Sequence, residues 1–300
     1  MSRVVVLGSI NVDLAARVGR FPVAGETLSG SDFTVRAGGK GANQALAAAR
    51  AGATVVMAGA VGRDGFTGTA LANLARAGVD LTAVREVDGP TGAALILLDA
   101  KGENVIVVVP GANAAVDAAQ ASALPLAAGD VLLLQGEIPT EALAAACAAG
   151  RSAGARVVLN PAPFAPELAD LLPLIDVLVV NETEAQALAA ARGLAGRTPR
   201  EIVAALAAPT LDVIVTQGAR GLTAGFAGRI VEAPSRPVEA VDTVGAGDTF
   251  CGYLAAGLAQ GGGLDDAILR RAGAAAALAC TRPGAQDAIP GLAEVARAGR

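Results

Sequence analysis

The sequence predicts an α/β fold, a doubly wound and mostly parallel sheet flanked by helices and carrying a small β-sheet lid. Two observations predict the sheet. Short β-branched runs recur along the chain, each followed by an Ala/Leu-rich segment of helical pattern. The runs are apolar on both faces, as parallel strands covered by helices on either side must be. A third observation predicts the lid: at about 14–36 and 91–109 the alternation breaks into strand-like segments around turns.

In chain order, core strands are expected at Val4–Leu7, Val55–Ala58, Val131–Leu134, Val157–Leu159, Val177–Val180 and Val213–Thr216. Between the first two lies the first lid insert, then a glycine turn at 38–41 that opens a long alanine helix. The second insert places Ala93–Leu98 and Asn104–Val109 around the turn Ala100-Lys101-Gly102, which suits a small antiparallel sheet. Neither insert has enough apolar residues to fold alone, so the lid should lie over the main body or against a second subunit. No linker, repeat or charge run divides the chain, which reads as one domain over 1–300.

Composition narrows the chemistry. The 300 residues are 53% hydrophobic and 17% charged, and their apolar runs stop short of membrane-span length. Arg3 leads through Val4–Leu7 straight into Gly8, too short an apolar stretch for a signal peptide, so a cytoplasmic location without membrane contact is expected. Cys147, Cys251 and Cys280 are far apart and odd in number, which favours core-filling thiols over disulfides or a zinc site. The chain has no histidine, which excludes Ser/His/Asp triads, Cys/His dyads and histidine-bound metals. General-base work then falls to a carboxylate, a lysine or a coordinated water. A net charge of -5 and 2% aromatic content argue against nucleic acid as a partner. Only Lys40 and Lys101 among the 23 basic residues are lysines, which singles them out for inspection.

Ligands of open parallel sheets bind beyond the carboxyl ends of the strands. The first strand ends in Gly8-Ser9-Ile10-Asn11-Val12-Asp13, an amide and a carboxylate two residues apart, suited to a ligand with several hydroxyls or to an Asx-stabilised turn. Gly38-Gly39-Lys40-Gly41-Ala42-Asn43-Gln44-Ala45 is a glycine turn entering a helix, where free N–H groups and close backbone approach suit a ligand. It is not a Walker loop, because no Ser or Thr follows Lys40. Val241-Asp242-Thr243-Val244-Gly245-Ala246-Gly247-Asp248-Thr249-Phe250 is a second such turn, with N–H groups from Gly245 to Asp248 placed for an anion and Asp248 beside them. Phe250 rules out a GxGxxG dinucleotide loop, and a helix-capping role for Asp248 stays open. Asn160-Pro161-Ala162-Pro163, Asn181-Glu182-Thr183-Glu184-Ala185 and Thr216-Gln217-Gly218-Ala219-Arg220-Gly221 also follow strands, and singly each reads as a cap or turn.

Together, and in this order, the segments at 38–45, 181–185 and 242–250 resemble the two signatures and the Asn-x-x-Glu motif of the PfkB carbohydrate kinase family, in its ribokinase branch. The resemblance spans about Val4 to Pro290. It implies a central α/β domain with a β lid, lids of two subunits packing into a homodimer, and ATP-dependent phosphorylation of D-ribose at the 5-hydroxyl. It assigns Asn11, Asp13, Gly39, Lys40, Asn43 and Glu137 to the sugar hydroxyls, with Asp248 as the base and Gly245, Ala246 and Gly247 as the anion hole. Asn181 and Glu184 would face the phosphates and Mg²⁺ through water, and Thr216, Gly218 and Gly221 would line the ATP site with Gly247. Asp242, with backbone groups near Val244, Ala279, Arg282 and Gly284, matches a monovalent-cation (K⁺) site. Two departures accompany this: Ala288 stands where relatives often carry a polar cation ligand, and Gly273 where they often have His or Asn near the adenine. Alternatives are a kinase of a nucleoside, with Phe21 and Phe33 to stack a base, or of another small sugar. A sugar phosphate would call on Arg17, Arg20 and Arg36, and a silent sugar-binding protein would not need Asp248.

Overall fold

A computed structural model describes residues 2–194 and 196–298 of the chain; residues 1, 195, 299 and 300 of the expected single domain lie outside the described residues. The strands are β1 (Val4–Leu7), β2 (Asn11–Arg17), β3 (Asp32–Gly38), β4 (Val55–Gly62), β5 (Asp80–Val87), β6 (Gly92–Leu98) and β7 (Asn104–Val109). After them come β8 (Val131–Gln135), β9 (Arg156–Asn160), β10 (Val177–Asn181), β11 (Asp212–Thr216), β12 (Leu222–Phe226) and β13 (Arg229–Ala233). The helices are α1 (Lys40–Arg50), α2 (Thr67–Arg76), α3 (Ala118–Ser122), α4 (Thr140–Ala153), α5 (Glu182–Ala191), α6 (Pro199–Leu206), α7 (Ala246–Ala259), α8 (Asp266–Ala279) and α9 (Leu292–Ala298).

Among the described residues the main sheet runs β13-β12-β11-β10-β9-β8-β1-β4-β5, parallel from β11 through to β5 and antiparallel at β12 and β13. Its strands are apolar on both faces because each face meets helices. Val4 and Val6 of β1 enter the core that contains α1, α7 and α8, whereas Val5 and Leu7 enter the core containing α4, α5 and α6. Position 252 brings α7 onto α1, since a Cβ at Gly252 would lie 2.5 Å from Ala47 Cβ and from the Gln44 carbonyl oxygen.

The second sheet runs β3-β2-β6-β7. It differs from the antiparallel sheet expected, because β2 pairs with β6 in parallel while β3 and β7 are antiparallel to their neighbours. The two inserts make separate excursions from the main body, and their inner strands run in the same direction. β2 also begins at Asn11, so the polar segment read as the end of the first strand is already part of this sheet. Three strands of the main sheet, β5, β12 and β13, were not expected. Their runs are broken by charge, as at Asp80, Arg85 and Glu86, or diluted by Ala and Gly, so alternation does not announce them.

Candidate active site

The site forms where α1 and α7 begin, at the carboxyl ends of β1, β8, β9 and β10. Helix α1 starts against β1 only because glycines allow it. Gly39 holds φ +89°, and a Cβ at Gly41 would lie 2.6 Å from the Gly8 carbonyl carbon. Helix α7 starts after Gly245 at φ +74°, and no side chain caps it among the described residues. The Ala246 N–H donates to the Thr243 carbonyl oxygen at 3.3 Å, which leaves the N–H groups of Gly247 and Asp248 open among the described residues, and a Cβ at the exposed Gly247 would meet nothing within 4 Å.

On the sugar-side half, Asn11 is buried and its Oδ1 accepts from Asn113 Nδ2 at 2.6 Å, while Asn113 Oδ1 accepts from the Ile10 N–H at 2.9 Å. Asp13 lies over Gly38, where a Cβ would come within 2.3 Å of its Oδ1. Glu137 Oε2 accepts from Ser9 Oγ and from the Lys40 N–H at 3.1 Å, tying the end of β8 to the start of α1. Burial, then the negative charges of Glu137 and Asp248, push Asp13 up to about 6 against a slight pull from Arg36.

Asp248 is buried in the first turn of α7. Its Oδ2 accepts from Asn43 Nδ2 at 2.9 Å and its Oδ1 from Gln44 Nε2 at 3.0 Å. Gln44 also donates to Asn160 Oδ1 at 3.1 Å and accepts from Gln135 Nε2 at 2.8 Å. Ser9, Gln44, Asn113, Gln135 and Asn160 received no role from the sequence, although Ser9, Gln44 and Asn160 stand inside segments that it singled out.

A cavity of about 220 Å³ adjoins Asp248, lined by Lys40, Asn181, Glu184, Thr216, Gly245 and Gly247 among others. Lys40, assigned to the sugar, thus has its side chain on the cavity that also holds the expected phosphate residues. The carboxylate of Asp248 is the main cause of its raised pKa, opposed by burial and aided by Glu137 and Glu184. Asn181 and Glu184 form a capping box at the start of α5, the Asn181 N–H donating to Glu184 Oε2 at 2.9 Å. Burial raises the Glu184 carboxyl despite that bond. Gly218 and Gly221 do not line this cavity. Gly221 answers to the fold, since a Cβ there would lie 2.0 Å from the Ala233 carbonyl oxygen. Gly273 fronts open space.

Asp242 sits beneath the turn that opens α7. Its Oδ1 accepts from the Val244 N–H at 3.0 Å and its Oδ2 from the Gly284 N–H at 2.8 Å, so it joins two of the loops assigned to a cation. Ala279 and Ala288 are buried nearby in sequence and Arg282 pairs with Glu294. A larger cleft of about 490 Å³, between the start of α6 and the β11–β13 edge, includes none of the expected site residues.

Residues 1–292 match the family model described as pfkB family carbohydrate kinase. The chain belongs to that family, and it is a kinase. It is 38% identical to the ribokinase of Bacillus subtilis, over 98% of both chains, and 35% identical to the deoxyribokinase of Salmonella typhi, over 96% of both. A solved ribokinase of Arabidopsis thaliana, complexed with ribose and ATP, superposes with a TM-score of 0.88 at 32% identity over 99% of each chain.

The pKa of Asp13 sets a pH dependence. Below 3.8 the group is protonated in both the folded and unfolded chain, and between 3.8 and about 6 only the folded protein holds the proton. Stability therefore falls as pH rises through that window, by about 3 kcal/mol in full. Urea unfolding at pH 4 and pH 8 checks this: Asp13→Asn should gain on the parent protein at pH 8 and hardly at all at pH 4. An equal difference at both values would refute the assignment.

Proposed function

We propose that this kinase transfers the γ-phosphoryl group of ATP to the 5-hydroxyl of D-ribose, giving D-ribose 5-phosphate and ADP. The observation that carries the reading is the buried carboxylate of Asp248, held by two amides at the uncapped start of α7, in a chain of this family. Asn11, Asp13, Gly39, Lys40, Asn43 and Glu137 hold the sugar hydroxyls, and Asp248 receives the proton as the sugar oxygen bonds to the γ-phosphorus. The bond from that phosphorus to the bridging oxygen breaks, its electron pair leaving with ADP, while the N–H groups at 245–247 and the Lys40 ammonium meet the charge on the moving phosphoryl. ATP would lie along Asn181, Glu184, Thr216 and the turns at Gly218 and Gly221.

The donors also suit the two ions. Among the described residues no cluster of three metal-ligating side chains forms, and of the two carboxylates on the cavity Asp248 is bonded to Asn43 and Gln44, which leaves Glu184 to meet Mg²⁺ held through water and the phosphates. Mg²⁺ so held supplies charge neutralisation of the phosphates. Asp242 and backbone carbonyls near Val244, Ala279, Arg282 and Gly284 are hard oxygen donors of the kind K⁺ accepts, with Ala288 contributing none. A K⁺ there would steady the 242–245 turn.

A 2-deoxypentose is the second reading, because identity to the deoxyribokinase falls only from 38% to 35%. Initial rates with ATP-Mg²⁺ across ribose, 2-deoxyribose, hexoses and nucleosides decide between them, and ribose should give the highest kcat/KM. Asp248→Asn should then cost about 10²- to 10⁴-fold in kcat while sugar binding survives, and near-normal turnover would remove Asp248 from the mechanism. At constant ionic strength K⁺ should outpace Na⁺ and Cs⁺, with Ala288→Ser reaching full rate at lower K⁺; equal rates in all three salts would leave Asp242 a purely structural cap.

The lid supports a homodimer. Val105 to Val109 of its edge strand β7 are 41–55% exposed, a free apolar edge of the kind that pairs with another strand. Sedimentation velocity at micromolar concentration should give twice the chain mass, and a monomer would contradict the dimer.

A further inference from the structure

The amide chain behind Asp248 has one consistent orientation. Asn160 Nδ2 donates to the Val179 carbonyl oxygen at 2.9 Å, so its Oδ1 can only accept, and it accepts from Gln44. Gln44 Nε2 gives its second hydrogen to Asp248 Oδ1, which leaves Gln44 Oε1 to accept from Gln135 Nε2. Every polar atom of the Gln44 side chain is thereby used. Gln44 and Gln135 are both 0% exposed, and Gln135 Oε1 has no partner among the described residues. A buried orphan acceptor is unfavourable for folding, and at this place it is a consequence of turning Gln135 to serve Gln44. The far ends of the chain are fixed to the sheet, Gln135 on β8 and Asn160 on β9 with its bond to β10.

We propose that Gln44, fixed from behind by Gln135 and Asn160, is a positioning residue that anchors Oδ1 of Asp248 and leaves Oδ2 as the oxygen that receives the sugar proton. This rests on the reading of Asp248 as the base. Oδ2 is the oxygen on the Asn43 side, and Asn43 belongs to the sugar ligands under that reading. With Oδ1 tied to three strands of the sheet, rotation of the carboxylate away from the hydroxyl requires breaking the chain, so orientation is set before substrate arrives. The proton moves from the sugar hydroxyl to Oδ2 and Oδ1 keeps its bond to Gln44 throughout.

Gln44→Met and Gln135→Met, alone and together, test this beside Asp248→Asn, with kcat expressed per folded molecule. Gln44→Met should lower kcat about 10- to 100-fold with sugar KM within about threefold of the parent. Gln135→Met should lower kcat less, without lowering Tm to match, and should add nothing once Gln44 is already Met. Parental kcat in Gln44→Met, a loss confined to KM, or fully additive losses in the double variant would each overturn the inference while a dead Asp248→Asn keeps the base. Should Gln44→Met not fold, Gln135→Met alone decides, by the same split of kcat from KM and Tm. Normal turnover in Asp248→Asn would instead overturn the base reading on which the inference rests.

Discussion

Helix α7 can lie against α1 only because position 252 has no side chain, with Ala47 Cβ and the Gln44 carbonyl oxygen 2.5 Å from where a Cβ would stand. That contact brings Asn43 and Gln44, in the first turns of α1, to Asp248 in the first turn of α7, some 200 residues away in the chain. A second close approach, Gly41 over Gly8 and Ser9, fixes α1 to the end of β1. Two helix starts thus meet at one volume; the first N–H groups of α1 are taken by Glu137 and Ser9, so it is the uncapped start of α7 whose field favours the negative charge of a phosphoryl group there.

The same convergence concentrates charge. Asp13, Glu137, Asp248, Glu184 and Lys40 gather in a partly buried space, where burial first and neighbouring carboxylates second raise Asp13 and Glu184, with one ammonium among four carboxylates. Such a grouping opposes folding, and the apolar faces of the nine-stranded sheet offset it. Stability resides in the two helix-covered cores, and the polar groups are confined to the carboxyl ends of the strands.

Much of this was legible in the sequence because it depends on local chemistry. A run apolar on both faces must be covered on both faces, and a glycine turn before a helix brings no side-chain cap of its own wherever it folds. Asn11, Asp13, Lys40, Asn43, Glu184 and Asp248 could be picked out as polar residues just after strands or at helix starts. Gln135 and Asn160 were harder to see. Each is the last residue of a buried strand, where an amide looks the same whether it caps a turn or supports a catalytic group. Gln44 lay inside a recognised motif, but its role depends on partners at 135, 160 and 248 that no local pattern connects.

The sequence by itself determined the α/β class, the six core strands, the two inserted segments and the exclusion of histidine chemistry, because periodicity and composition act within a few residues. Only the tertiary structure decided that the inserts join through a parallel β2–β6 pair, and that charged or glycine-containing segments at β5, β12 and β13 complete the sheet. It also put the Lys40 side chain on the cavity beside Glu184 and Asp248, and tied the two oxygens of Asp248 to different amides. These are outcomes of distance between remote parts of the chain, set by how closely glycines let backbones approach, and a linear pattern holds no measure of that distance.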